Sequence, residues 1–130
     1  MRNWERQAAA DASLCTYQLH IIVACPRILR IGRLGVFRFP AGRYFYTGSA
    51  RRSLLARVRR HLSPDKKRRW HIDYLLTAHA VKVIDVILTS DGECQLNRRA
   101  VGEIIVPGFG ASDCRARCGS HLKFLSEGKN

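Results

Sequence analysis

The chain has 130 residues, the length of one compact domain, and its 46% apolar content is enough to fill a single core. That content excludes a disordered polyelectrolyte, and no apolar run reaches the roughly 20 residues that a membrane-spanning helix needs. Lys and Arg number 23 against 10 Asp and Glu, a formal charge of +13 that points to a polyanionic partner such as nucleic acid or an acidic membrane surface.

In chain order, residues 1–12 are polar and alanine-rich and read as a frayed leader or short helix ahead of one domain over residues 13–127. They contain no hydrophobic signal core, so a cytoplasmic location is expected. Leu14 to Ala24 carries β-branched and aromatic residues and reads as a strand ended by Cys25-Pro26. Ile28 to Phe39, interrupted by Gly32 and Gly35, reads as a hairpin or bulged strand pair. Pro40-Ala41-Gly42 is a turn, and Arg43 to Thr47 the next strand.

A helix follows, with Leu54, Leu55, Val58 and Leu62 as its apolar stripe, Ser53 able to cap its start and Pro64 ending it. Arg57 and His61, four residues apart, share one of its faces. A second helix is expected over Ile72 to Ala80, then a strand over Val81 to Leu88. Ser90 and Glu93 have capping-box spacing and would start a helix running towards Val101. Ile104 to Val106 and Leu122 to Leu125 are short apolar pieces around a Gly- and Cys-rich loop. Alternating strands and helices behind an antiparallel front imply an α/β or α+β domain, a sheet flanked by helices.

The positive charge concentrates in Arg51, Arg52, Arg57, Arg59, Arg60, Lys66, Lys67, Arg68 and Arg69, opposed only by Asp65. That run reads as the phosphate-facing surface. Beside it, Trp70 can stack on a base or sugar, or fill core, and His71 with Asp73 can line a cleft or open a helix.

Hydrolysing a phosphodiester requires charge neutralisation, an activated nucleophile and usually a divalent ion. Arg57 offers a guanidinium fork matched to phosphate oxygens, or is one more arginine of the basic face. Tyr17, Tyr44 and Tyr46 offer phenols that can polarise water, although Tyr44 and Tyr46 can equally pack on one strand face. Glu93 is a hard oxygen ligand of the kind Mg²⁺ accepts, or simply closes the capping box; Asp73 and Glu103 are alternative carboxylates.

Together, Tyr46-Thr47-Gly48, Arg57 and His61 resemble the second half of the GIY-YIG nuclease signature. Gly42-Arg43-Tyr44-Phe45-Tyr46-Thr47-Gly48-Ser49-Ala50, Arg60-His61-Leu62, Trp70-His71-Ile72-Asp73-Tyr74-Leu75, Glu93-Cys94, and Gly108-Phe109-Gly110-Ala111-Ser112-Asp113-Cys114 with Ser120-His121-Leu122 resemble the DUF123 branch of that superfamily, over about Leu14 to Phe124. The resemblance implies a three-stranded antiparallel sheet flanked by helices and a metal-dependent nuclease site. Tyr17 and Tyr46 would be its motif tyrosines, Arg57 its phosphate-binding arginine, Glu93 its ligand for Mg²⁺ or Mn²⁺, and His61 an accessory base or orienting group. The chain departs from the pattern where Cys15 replaces the glycine two residues before the first tyrosine. The inserted Ile28 to Phe39 hairpin also lengthens the distance to the second tyrosine.

Five cysteines without a secretion signal read as thiols or metal ligands, not as a disulfide framework. The spacing of Cys114, Cys118 and His121 is compatible with one Zn²⁺ site to which Cys94 can add a fourth ligand, and small buried cysteines are the alternative. Three functions follow as expectations. The first is a structure-selective or repair-related endonuclease acting on DNA, with a partner protein supplying specificity; the second is a non-catalytic nucleic-acid-binding module on the same fold. The third is a zinc-stabilised basic protein of RNA or ribosome type.

Overall fold

The structure, a computed structural model, describes residues 2–50, 52–111, 114 and 117–126. Arg51 of the basic run, and Ser112 and Asp113 of the glycine-rich motif, lie outside the described residues.

Strands β1 (Thr16–Val23), β4 (Gly42–Ser49), β5 (Val81–Thr89) and β6 (Leu122–Ser126) form one antiparallel sheet in the order β5-β1-β4-β6. Strands β2 (Arg27–Ile31) and β3 (Gly35–Phe39) pair only with each other, across a 3-10 turn at Gly32–Leu34. The domain is therefore α+β. The sheet has one strand more than the three that the resemblance implies, because the apolar piece beginning at Leu122 pairs with β4. Ile104 to Val106 builds no strand; its neighbour Glu103 makes an isolated bridge to Phe124, and Val106 is buried.

The β2–β3 hairpin leaves the main sheet and returns to it, so the residues between Tyr17 and Tyr46 do not separate β1 from β4. These strands pair along their whole length, with Tyr17 opposite Gly48 and Leu19 opposite Tyr46. Alternation puts Tyr17, Leu19, Ile21 and Val23 on one face with Tyr44 and Tyr46. All six are buried. Phe39, Tyr44, Phe109 and Phe124 extend this core, with the Tyr44 and Phe124 rings 4.9 Å apart.

Helix α2 (Leu54–Leu62) buries Leu54 and Val58 of the expected stripe together with His61, while Leu55 and Leu62 are partly buried against the core. It ends before Pro64 as expected. Its start does not follow expectation: Ser53 occupies the cap position in a left-handed conformation (φ 57°) and its side chain makes no capping bond. Helix α3 (His71–Leu76) stops short of the expected Ala80, and the chain turns through a left-handed Ala80 into β5. Its first turn is held by Asp73, whose Oδ2 accepts from the Arg69 and Trp70 amides at 2.8 and 2.9 Å.

Helix α4 (Glu93–Arg99) corrects the capping-box reading. Gly92 is the cap residue, so Glu93 opens the helix at its first position and not at the third that a capping box needs, and its carboxylate is engaged elsewhere.

The N-terminal residues take the short-helix form, α1 (Asn3–Ala10), which packs on β5 and α2. Its Trp4 is buried, and Glu5 pairs with Arg59 of α2 at 2.8 Å. Trp4→Ala is therefore expected to lower unfolding stability by about 3 kcal/mol, typical of a buried aromatic truncation. A urea midpoint unchanged from that of the parent would mean that α1 does not hold this docked position in solution.

Candidate functional site

Gly48 is where the site begins. A methyl group there would lie 2.3 Å from the Tyr17 hydroxyl oxygen. Without one, the Tyr17 ring lies across β4 and its hydroxyl reaches His61 Nε2 on α2 at 2.7 Å. Tyr46 stands beside this pair, its ring centre 6.4 Å from that of Tyr17 and 6.2 Å from that of His61.

Tyr17 and Tyr46 open onto a cleft of about 810 Å³ that is also lined by Ser49, Arg57, Arg69, Trp70, His71, Glu93, Gly110 and His121. His61 stands behind Tyr17, not on the cleft wall. Of the carboxylates weighed from the sequence, Glu93 lines the cleft, while Asp73 is fully buried under Arg60 and Glu103 lies at its bridge to Phe124.

Burial, reinforced by the nearby Lys66 ammonium, pushes the His61 imidazole down to about 3. It is neutral at physiological pH and can hold a hydrogen bond with a phenol in either direction. Burial likewise pushes the Tyr17 and Tyr46 phenols well above their ordinary range. Neither tyrosine is a phenolate in the resting protein. Any proton that Tyr17 relays must therefore leave it as another arrives.

Glu93 is held from two sides. Ser49 Oγ donates to its Oε1 at 2.6 Å, and His121 Nδ1 pairs with its Oε2. Burial favours the neutral acid, but hydrogen bonds from His121 and Ser49 hold the carboxyl below its usual range. Burial also opposes charge on His121, yet hydrogen bonding to Glu93 and Cys114 raises that imidazole to about 9. Each carboxylate oxygen keeps a lone pair beyond the bond it accepts. Glu93 thus fits the requirement of a hydrated Mg²⁺ or Mn²⁺, which needs only one or two carboxylates and completes its shell with waters and phosphate oxygens.

Arg57 lies between β4 and α3. Its Nη1 donates to the Ser49 carbonyl at 3.3 Å, and its guanidinium sits 4.6 Å from the centre of the Trp70 ring. Arg60 lies 4.3 Å from the same ring and forms a two-toothed pair with Asp73 at 2.9 and 3.0 Å. Trp70 therefore serves as a platform for two cations. His71 Nδ1 accepts from the Gly110 amide at 2.9 Å, and burial keeps its imidazole below the ordinary range, so the remaining ring proton sits on Nε2 as a donor.

The basic run divides into two groups. Arg59 is tied to Glu5, Arg60 to Asp73 and the Lys67 carbonyl, and Lys66 donates to the Arg60 and His61 carbonyls at the end of α2. Lys66 there acts as a C-terminal helix cap. Arg52, Lys67, Arg68 and Arg69 are exposed, and Arg69 borders the cleft beside Arg57.

Two functional positions escaped the sequence reading. Ser49, quoted only as part of a motif, holds both Glu93 and Arg57. His121, read only as a metal ligand, is also the ion-pair partner of Glu93. The Cys94, Cys114, Cys118 and His121 set does converge, with ligand atoms within 4.8 Å of one another.

The family model described as a domain of unknown function, DUF123, matches residues 16–130. No curated protein and no solved structure matches the chain.

Gly48→Ala is expected to displace the Tyr17 ring and destabilise the protein by about 1–3 kcal/mol, the usual range for overpacking. A melting temperature equal to the parent's would show that Tyr17 is not seated across β4. The buried neutral His61 sets a pH dependence as well. Below its ordinary value of 6.5 the unfolded chain takes up a proton that the folded protein refuses until about 3, so stability falls as pH drops through that window. His61→Gln should flatten this part of the stability-against-pH curve, and an unchanged slope would assign the effect to other groups.

Proposed function

The chain belongs to the DUF123 family, and from that premise and the cleft described above we propose that it is a metal-dependent endonuclease, hydrolysing phosphodiester bonds in DNA. One observation carries the reading. Tyr17, Tyr46, Arg57 and Glu93, from β1, β4, α2 and α4, meet on a single cleft, with His61 hydrogen-bonded behind the first of them. A cationic rim of Arg69 and Arg57 borders the same cleft.

The chemistry follows from what each group can do there. Arg57 offers guanidinium donors to the phosphate and neutralises charge as the pentavalent state forms. The Tyr17 hydroxyl orients the attacking water and passes a proton towards His61, whose Nε2 lies within hydrogen-bond reach. An imidazole held near 3 is a weak base at rest, and the negative charge of a bound phosphate raises it when it is needed. Glu93 would hold the divalent ion, which supplies charge neutralisation and a more acidic water. The His71 Nε2 proton suits contact to a phosphate oxygen, while the Trp70 ring holds the Arg57 and Arg60 guanidiniums at the cleft.

A cleft that grips backbone phosphates suits recognition of nucleic-acid shape over sequence, which favours a structure-selective or repair-related substrate and a partner protein that supplies specificity. A reducing cytoplasm suits its thiols. The second reading, a binding module that does not cleave, is favoured by one feature: both Glu93 oxygens are already engaged, Oε1 by the Ser49 hydroxyl and Oε2 by the ion pair with His121.

Cleavage of labelled branched, single-stranded and duplex DNA and of RNA, with Mg²⁺ or Mn²⁺ and without either, separates the two. Arg57→Ala is expected to lower the cleavage rate by about 10²–10³-fold, the loss typical of a transition-state charge donor. Its melting temperature should stay close to the parent's. Equal activity in the variant removes Arg57 from the site. Salt-sensitive binding with no cleavage on every substrate makes the non-catalytic module the correct account.

A further inference from the structure

We infer that Cys94, Cys114, Cys118 and His121 bind one Zn²⁺ ion, and that Glu93 and Ser49 form the outer shell that orients its histidine ligand. The zinc site stands on its own geometry. Its connection to Glu93 as a nuclease ligand rests on the reading above.

The ligand atoms are already gathered. Cys94 Sγ is 3.5 Å from Cys114 Sγ and 3.9 Å from His121 Nε2, and all four donor atoms lie within 4.8 Å of one another. A tetrahedral zinc with Zn–S bonds of about 2.3 Å holds its sulfurs roughly 3.8 Å apart, so closure requires movements of an ångström or less. Three thiolates and an imidazole form a soft donor set that selects zinc over the hard cations suited to Glu93. Binding displaces the thiol protons and the Nε2 proton of the His121 imidazolium to solvent, which frees the Nε2 lone pair for the metal while Nδ1 keeps its proton towards Glu93.

The orientation of His121 is the second, independent observation. Nε2 faces the sulfurs while Nδ1 pairs with the Glu93 carboxylate, itself held by Ser49. A metal-bound histidine almost always donates its other ring proton to a carboxylate or carbonyl, which fixes the tautomer and strengthens the ligand. The arrangement here supplies that partner.

Zinc also answers a structural need. Between Arg99 and Leu122 the described chain has no helix or strand, and Gly108, Gly110 and Gly119 all have positive φ. Yet this segment supplies Gly110, which holds His71, and with Cys114 it forms part of the cleft wall. No disulfide involves the described cysteines. A metal joining the segment to Cys94 on α4 provides the missing cross-link and fixes the cleft wall.

The test is the metal content of the full chain purified without chelator, together with the visible spectrum after Co²⁺ replacement. About one zinc per chain, and the intense charge-transfer and d–d bands of tetrahedral thiolate-bound cobalt, are expected. Cys118→Ser should lose them, whereas Cys25→Ser, whose thiol is exposed and outside the cluster, should keep them. Glu93→Gln should retain the metal with affinity lowered by about 10–100-fold. Parent protein with no zinc and only a pale octahedral cobalt spectrum would overturn the site, as would a disulfide between Cys94 and Cys114. Should Cys118→Ser fail to fold, parent stoichiometry and spectrum decide. None of these readouts depends on cleavage, so an inactive protein that binds zinc refutes the nuclease reading alone.

Discussion

The site depends on a missing side chain. Because Gly48 presents only hydrogen towards its cross-strand neighbour, Tyr17 can lie over β4 where any larger residue would meet it at 2.3 Å. The hydroxyl thereby reaches His61, which occupies a core position of α2 in place of an aliphatic residue. That hydrogen bond satisfies Nε2 at a depth where an unpaired polar atom would carry a large desolvation penalty. Seating α2 against Tyr17 in turn places Arg57, one helical turn earlier, at the mouth of the cleft. A strand pairing, a helix position and a guanidinium thus follow from one glycine.

Charge is arranged around the same helix. A chain with a formal charge of +13 has to prevent its own arginines from repelling one another. Here Glu5 and Asp73 each take one, and the carbonyl end of α2 takes Lys66. Arg57 and Arg60 approach the same Trp70 ring, whose negative face offsets part of their repulsion, with Asp73 supplying the countercharge. These internal partners leave the cations at Arg52 and from Lys67 to Arg69 turned outward. Only the buried carboxylate Asp73 draws its cation, Arg60, inward; Arg59 is paired with Glu5 but stays exposed, and the cations without an acidic neighbour remain solvated.

Glu93 joins the cleft to the cysteine cluster. Its two oxygens face different groups, Ser49 at the end of β4 and His121 in the loop just before β6. Ser49 ends β4 and His121 is tied to that strand by the Thr47 amide, so the carboxylate is positioned at the edge of the sheet and not by its own helix. With Gly92 as its cap, α4 loses only roughly a few tenths of a kcal/mol against a side-chain cap, set against a charge-assisted pair in a partly buried site.

Much of this was legible in the sequence because it is local. β-Branched and aromatic content marked β1, the Tyr44-Phe45-Tyr46 alternation accompanied β4, the Leu54 to Leu62 stripe and Pro64 bounded α2, and the glycine pair at 32 and 35 marked the hairpin turn. The motif residues Tyr46, Gly48, Arg57 and Glu93 were likewise visible, through the resemblance of their motifs to those of a known family. What the sequence could not supply depends on contacts between residues far apart in the chain. Whether Glu93 caps its own helix or reaches Ser49 and His121 is decided by β6 packing beside β4, and no spacing near Ser90 carries that information. The extra strand, the shortened α3 and the division of the basic run have the same origin. By itself the sequence determined which segments can be helix or strand and which chemistry the chain possesses; tertiary structure decided which of those groups face one another, because burial and long-range pairing outweigh the fraction of a kilocalorie to about one kilocalorie per mole in local preference.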